Sequence, residues 1–203
     1  MAAPAQRPIT HTRFSTLLHP GASFRPQDLR IATWNARGLL CVDTMSGTRK
    51  ATYLLEQFLY THIVAIQEVH GNDVVLRRRL ALLHKSHWFF HSPGIDQGTG
   101  GTITMVKKEF APNFDDIDHR TLAVGRVTRT SICKNGVTAV YYNIHNHGIA
   151  KEDLNIIERY IDDDLLRSKL DPQNHVTWLL GDFNLQPHGH HKLSLSIQKT
   201  FPL

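Results

Sequence analysis

The stretch Val176-Thr177-Trp178-Leu179-Leu180-Gly181-Asp182-Phe183-Asn184 decides how this chain is read. Its apolar part is rich in β-formers and reads as a buried strand, halted by a glycine with Asp182 and Asn184 directly after it. In open α/β sheets, residues just past the carboxyl end of a strand sit at the mouth of the fold, where ligands bind. Gly181 has no Cβ and so admits close approach of backbone and ligand. Asp182 can orient or deprotonate a water, and Asn184 offers an amide N–H to an anionic oxygen. An Asp-x-Asn turn that merely closes a strand explains the same residues. What separates the two readings is that three other strands end in the same way.

Ile31-Ala32-Thr33-Trp34 is the first of these, running into Asn35 and then Arg37-Gly38. Ile63-Val64-Ala65-Ile66 is the second and ends in Gln67-Glu68-Val69-His70-Gly71. Val124 to Ile132 and Val137 to Ile144 form a strand pair turned through Lys134-Asn135-Gly136, where Asn-Gly is a strong hairpin signal. Its second member delivers His145. Between these strands the spacing predicts helices. Ala51, Leu54, Leu55, Phe58 and Leu59 make one apolar face over Thr48 to Tyr60. Asn72 or Asp73 caps a helix with Leu76, Leu80 and Leu83 inward and the basic triplet Arg77-Arg78-Arg79 around it, a solvated face or a phosphate-contacting patch. A last helix covers Glu152 to Leu170, with Leu154, Ile157, Ile161 and Leu165 inward and Asp162-Asp163-Asp164 on the wet side. Gly94 to Gly101 reads as a loop before a strand over Thr102 to Val106, without the Gly-Lys-Ser/Thr of a phosphate-cradling loop. Asp115, Asp116, Asp118 and His119 lack ligand spacing and read as a polar surface loop.

The order β, α, β, α, β, β, β, α, β favours a layered α/β sandwich over a bundle or an all-β fold. At 203 residues, one domain with a sizeable core is expected. Apolar residues at 41% and charged residues at 20% describe a globular protein, and no apolar stretch approaches membrane-spanning length. A net charge of +5 is compatible with a polyanionic partner and weak evidence for one. Cys41 and Cys133 have no C-x-x-C spacing and read as buried free thiols in a reducing compartment, not as a disulfide or a zinc framework. Residues 1–27 hold no Asp or Glu, several prolines and no apolar h-region; they read as a flexible leader, not a secretory signal. The expected organisation is this leader, a domain over 28–187 and a tail over 188–203.

Four strands thus deliver Asn35, Glu68, His145, and Asp182 with Asn184. Each has an ordinary explanation alone, as turn, cap or rim residues. Together they can hold a hard cation, fix carboxylate and phosphate geometry, and donate a proton to a phosphoryl oxygen.

With these pieces the chain resembles the endonuclease/exonuclease/phosphatase family, whose fold is the four-layered, deoxyribonuclease-I-like α/β sandwich. The matching motifs are Ile31-Ala32-Thr33-Trp34-Asn35 with Arg37-Gly38, Ile66-Gln67-Glu68, Gly100-Gly101-Thr102, Asn143-Ile144-His145 and Gly181-Asp182-Phe183-Asn184, in the family's order. Glu68-Val69-His70-Gly71 and Gly125-Arg126-Val127 are most similar to endonuclease domains of non-LTR retroelements. The resemblance implies metal-assisted hydrolysis of a phosphodiester, with DNA as substrate and Mg²⁺ or Mn²⁺ as cofactor. It implies that Glu68 binds the metal with support from Asn35, that Asp182 aligns or activates the attacking water, and that Asn184 binds the scissile phosphate. His145 falls where some members carry a phosphate-contacting or leaving-group acid histidine. Family members go on to an Asp-bearing strand and a final Ser-Asp-His motif whose histidine is the general base. This sequence contains no Ser-Asp-His; His188, His190 and His191 read as a histidine-rich loop. Loss of a general base costs ~10²–10⁴ in rate, so a sandwich lacking its last strands and weakly active or inactive is the expectation. The alternatives are a phosphatase or RNA-directed member of the same fold, and a non-catalytic, basic nucleic-acid-binding remnant. An intracellular setting, nuclear or cytoplasmic, without membrane association, is expected.

Overall fold

The structure, a computed structural model, describes residues 29–41, 44–96 and 98–183. The leader, Asn184, and His188, His190 and His191 lie outside the described residues. The first sheet consists of β1 (Ile31–Asn35), β2 (Ile63–Gln67), β3 (His87–Ser92) and β4 (Thr102–Lys107), in the order β1-β2-β4-β3. The second consists of β5 (Ile117–Ala123), β6 (Val127–Lys134), β7 (Val137–His145) and β8 (His175–Asp182), in sequence order. Each has one parallel pair at an edge, β1 with β2 and β8 with β7, and is otherwise antiparallel. Helices α1 (Thr44–Phe58) and α2 (Asp73–Arg79) cover the first sheet, and α3 (Lys151–Leu170) covers the second.

The layers follow from period-two alternation along the strands. Val64 and Ile66 of β2 point outward and pack with Leu54 and Phe58 of α1 and Leu76 of α2. Ile63 points the other way and joins Phe90, Val106, Ile132 and Tyr141 between the sheets. Val140, Tyr142 and Ile144 of β7 face Ile157 and Ile161 of α3. The central layer is fixed by Tyr141 stacked on Trp178, with centroids 4.9 Å apart and planes 5° from parallel. The result is the expected α/β/β/α sandwich. No helix among the described residues is long and apolar enough to cross a membrane.

Several elements differ from the sequence reading. β3 and β5 are additional strands. Both are edge strands, and His87-Trp88-Phe89-Phe90-His91-Ser92 and Ile117-Asp118-His119-Arg120-Thr121 carry polar residues that blur the alternation. Asp118 and His119 therefore lie in a strand, not a loop. His119 stacks on Phe90 (4.7 Å) and its Nδ1 lies 2.8 Å from Thr130 Oγ1; burial pushes its imidazole down to about 4. β8 is half-buried from Val176 to Asp182, because it is an edge strand among the described residues. α1 begins one turn earlier than expected, with Gly47 leaving room for Arg79: a Cβ there would lie 2.2 Å from Arg79 Nη1. Arg77 and Arg78 are exposed, as a solvated face requires, whereas half-buried Arg79 donates to the carbonyls of Leu39 (2.8 Å) and Cys41 (2.7 Å) and so ties the loop after β1 to α2. The free Cys133 is exposed, and Cys41 is half-buried. Asp164, expected in water, is buried: it falls seven residues after Ile157, on the same helical stripe. It accepts from Arg129 Nε (2.7 Å), Arg129 Nη2 (3.1 Å) and Tyr142 Oη (2.6 Å). Burial pushes the Asp164 carboxyl up, but these donors outweigh it and hold the group below the usual carboxylate range.

Candidate active site

Alternation also selects the site residues. The positions of β1, β7 and β8 that face between the sheets end in Asn35, His145 and Asp182. β1 and β8 are edges that pack against each other across the sandwich, which brings Asn35 to Asp182. Glu68 needs a further device. Strict alternation would send it to the helix side with Val64 and Ile66, but its φ of 53° breaks the pattern. The residues that follow are clamped from both sides. Gly38 N–H donates to the Glu68 carbonyl (2.6 Å) and Leu40 N–H to that of Val69 (2.7 Å). On the other side, Val69 and His70 donate to the carbonyls of Gly101 and Gly100 (3.1 Å each). The glycine loop before β4 is thus a buttress for Glu68. A left-handed non-glycine residue costs on the order of 1–3 kcal/mol, and these surrounding bonds over-determine it.

Gly181 has a different role from the one its sequence suggests. Its φ is 144°, and a Cβ would lie 1.9 Å from the carbonyl oxygen of Ile144. The close approach made possible here is of β8 backbone to β7 backbone, not to a ligand. It sets Asp182 opposite His145 in the parallel register.

Beneath the rim, a buried polar bridge fixes one sheet against the other. Asn143 of β7 donates to the carbonyl oxygens of Ile103 (2.9 Å) and Ile66 (3.3 Å), and accepts from Gln67 Nε2 (2.8 Å). Gln67 Nε2 also donates to Thr33 Oγ1 of β1 at 3.1 Å. Thr33, Gln67 and Asn143 each lie one or two residues behind a site residue, so the bridge converts sheet packing into site geometry.

At the rim, Asn35 Nδ2 donates one hydrogen to Glu68 Oε1 (2.9 Å) and the other to Asp182 Oδ2 (2.7 Å). Asn35 Oδ1 accepts from Arg37 N–H (3.2 Å), which fixes the amide orientation. One neutral amide therefore holds two carboxylates together. Ligating atoms of Glu68, Asp182 and His145 lie within 4.8 Å of one another. Two carboxylate charges at such a separation repel by on the order of 3 kcal/mol at an effective dielectric of about 20. A cation between them removes that repulsion, and the donor set fits one.

His145 is buried, its Nε2 3.3 Å from Glu68 Oε1 and its Nδ1 2.8 Å from Arg126 Nη1. Arginine can only donate, so Nδ1 is the acceptor and Nε2 carries the proton toward Glu68. Burial and the Arg126 charge lower the basicity of His145 more than Glu68 and Asp182 raise it, which keeps the ring neutral. A protonated Nε2 has no lone pair for a metal. The cluster then offers carboxylate oxygens, the donors preferred by Mg²⁺ and Mn²⁺, with His145 as a hydrogen-bond donor beside them.

Of the residues singled out from sequence, Asn35, Glu68, His145 and Asp182 converge, and Asn184 lies outside the described residues. Among the described residues, this is the one group of three or more acids, histidines or cysteines with ligand atoms in metal-binding proximity; Asp115, Asp116 and Asp118 form none. Sequence reasoning missed Arg126, Gln67 and Asn143 as working parts. Their signal was adjacency, since each lies in a segment that was noted for another reason.

A model of the endonuclease/exonuclease/phosphatase family matches residues 32–198. No curated protein matches the chain in sequence. Similar solved structures include truncated TDP2 of Caenorhabditis elegans, at 18% identity and TM-score 0.53, with 77% of this chain and 62% of that one covered. TDP2 of D. rerio, complexed with single strand DNA product, has 16% identity and TM-score 0.50, with 85% and 64% covered. The AP endonuclease LMAP of Leishmania major has 17% identity and TM-score 0.50, with 94% and 71% covered. At these identities the likeness is one of fold. The chain spans less than two thirds of the length of either TDP2 structure.

Proposed function

We propose, from the premise that this chain belongs to the endonuclease/exonuclease/phosphatase family, that it hydrolyses phosphodiester bonds in DNA with Mg²⁺ or Mn²⁺ bound between Glu68 and Asp182. The observation that carries this reading is the single Asn35 amide shared by the two carboxylates. Such an arrangement is costly without a cation and well suited to one. The bound cation would neutralise charge on the phosphoryl oxygens and on the leaving oxyanion. Glu68 would be its principal ligand, with Asn35 keeping both carboxylates turned toward the site. Asp182 orients the attacking water by accepting its hydrogen bond. His145 directs its Nε2 proton at a phosphoryl oxygen, and Asn184, two residues beyond Asp182, is assigned to the scissile phosphate. Likeness of the Glu68–Gly71 and Gly125–Val127 segments to retroelement endonuclease domains supports a retroelement origin, which reverse-transcriptase sequence in the same locus would test.

The test is nicking of supercoiled plasmid. Nicking should require Mg²⁺ or Mn²⁺, stop with chelator, and be absent in Asp182→Ala and Glu68→Gln. Salt-sensitive DNA binding without any cation-dependent nicking would replace this reading with that of a binding protein.

A further inference from the structure

We propose that Arg126 is a positioning residue that acts through His145, holding the imidazole so that its Nε2 proton is presented to Glu68 and the reacting phosphate. This inference rests on the catalytic reading of His145 given above. The observation is a two-point grip between the same two residues. The His145 backbone N–H donates to the Arg126 carbonyl at 2.8 Å, and the Arg126 guanidinium donates back to His145 Nδ1 at 2.8 Å. A histidine held at its backbone N–H and at ring Nδ1 can neither flip nor swing. The approach of Arg126 is itself built. It follows the β5–β6 turn, where its N–H donates to the Ala123 carbonyl at 3.0 Å. Its guanidinium then lies in space left by Gly100, where a Cβ would come within 2.9 Å of Nη1. The half-buried guanidinium also has a chemical consequence that a hydroxyl, able to accept as well as donate, would not supply. The guanidinium always donates, so the ring keeps a bare Nδ1 and a protonated Nε2.

The competing role for an arginine at such a rim is direct contact with a substrate phosphate. The two roles predict different coupling. An arginine that works through His145 has nothing to contribute once the imidazole is gone, whereas a phosphate-binding arginine contributes independently.

The experiment is a double-mutant cycle on plasmid nicking with Arg126→Met, His145→Ala and the double variant, with Arg126→Lys as the conservative control. Thermal unfolding of each variant establishes that it is folded. Arg126→Met should lower kcat about tenfold with KM within about twofold, and Arg126→Lys should recover most of that loss. The double variant should be no slower than His145→Ala alone. Multiplicative losses, or a rise in KM at unchanged kcat, would overturn the assignment while leaving the catalytic reading intact. A wild-type protein that never nicks under Mg²⁺ or Mn²⁺ sinks the catalytic reading and this assignment with it. An independent readout needs no activity: with ¹⁵N-labelled histidine, His145 should show a bare, hydrogen-bonded Nδ1 and a protonated Nε2 in the wild type and in Arg126→Lys. A wild-type His145 protonated on Nδ1 rejects the proposal outright.

Discussion

Two clusters in this molecule combine a carboxylate, an arginine and a histidine, and they do opposite things with them. On the outer face of the second sheet, Arg129 gives two hydrogen bonds directly to Asp164, Tyr142 adds a third, and His175 Nε2 stands 3.7 Å away. At the rim between the sheets, Arg126 is one residue removed from the acids: it bonds His145, and Glu68 and Asp182 share a neutral amide. In the first cluster the charge is answered inside the protein. In the second, the arginine is committed to orienting a ring, and two like charges face each other across one asparagine. The nature of the carboxylate's partner thus separates the two, and burial alone does not. Asp164 is more buried than Glu68, yet it is the structural one.

The contrast is open to measurement, and the largest expected effect is on activity at the rim. Glu68→Gln or Asp182→Asn should reduce nicking by about 10²-fold or more, while stability in chelator is unchanged or higher, since one of two repelling charges is gone. A matched loss of stability in urea unfolding would place the rim in the same class as the other cluster. Asp164→Ala should do the reverse. It leaves Arg129 buried without its partner and should cost about 3–5 kcal/mol in urea unfolding, with nicking per folded molecule retained. Next in size is the acid response of the second sheet. His119 titrates near 4 when folded and near 6.5 when unfolded, so the unfolded chain binds the extra proton between these values. Its contribution is therefore complete above pH 6.5 and is lost as pH falls toward 4, by roughly 3 kcal/mol. His87 and His175, lowered by burial, act in the same direction, so the difference between the wild type and His119→Gln isolates the His119 share. Asn143→Ala should cost about 1–3 kcal/mol by leaving Gln67 Nε2 and the Ile103 carbonyl short of a partner. It should also slow nicking beyond the loss of folded protein, because the sheets that carry the rim are released from each other. The smallest effect is that of the cation itself. Mg²⁺ at ten times its Kd should stabilise the wild type by about 1.4 kcal/mol and leave Glu68→Gln unmoved.

Much of the rim was legible because each of its residues follows an apolar run, and such runs announce their own ends. Asn35, Glu68, His145 and Asp182 needed only the inference that strand ends converge. What the sequence could not display was who holds whom. Gly181 looked like room for a ligand, and its space belongs to the Ile144 carbonyl. Asp164 looked solvated because it sits in a run of acids, although its spacing from Ile157 and Ile161 places it inward; the partner that makes this tolerable, Arg129, is 35 residues away. β3 and β5 escaped notice for a related reason. An edge strand is supported by a neighbour on one side only and tolerates polar residues such as Asp118 and Arg120, so its pattern is diluted. Arg126 stands in a noted motif, Gly125-Arg126-Val127, but its role was not legible there, since it exists only through a residue 19 positions later.

The mirrored sheets have a practical corollary. The chain passes from the first sheet to the second once, between Lys107 and Ile117, and the rim is divided by that crossing: Asn35 and Glu68 precede it, while His145 and Asp182 follow it. Neither portion holds a working set of groups. Cut at Pro112-Asn113, each piece would carry two of the four rim residues, so the chemistry proposed for the rim would require both pieces together.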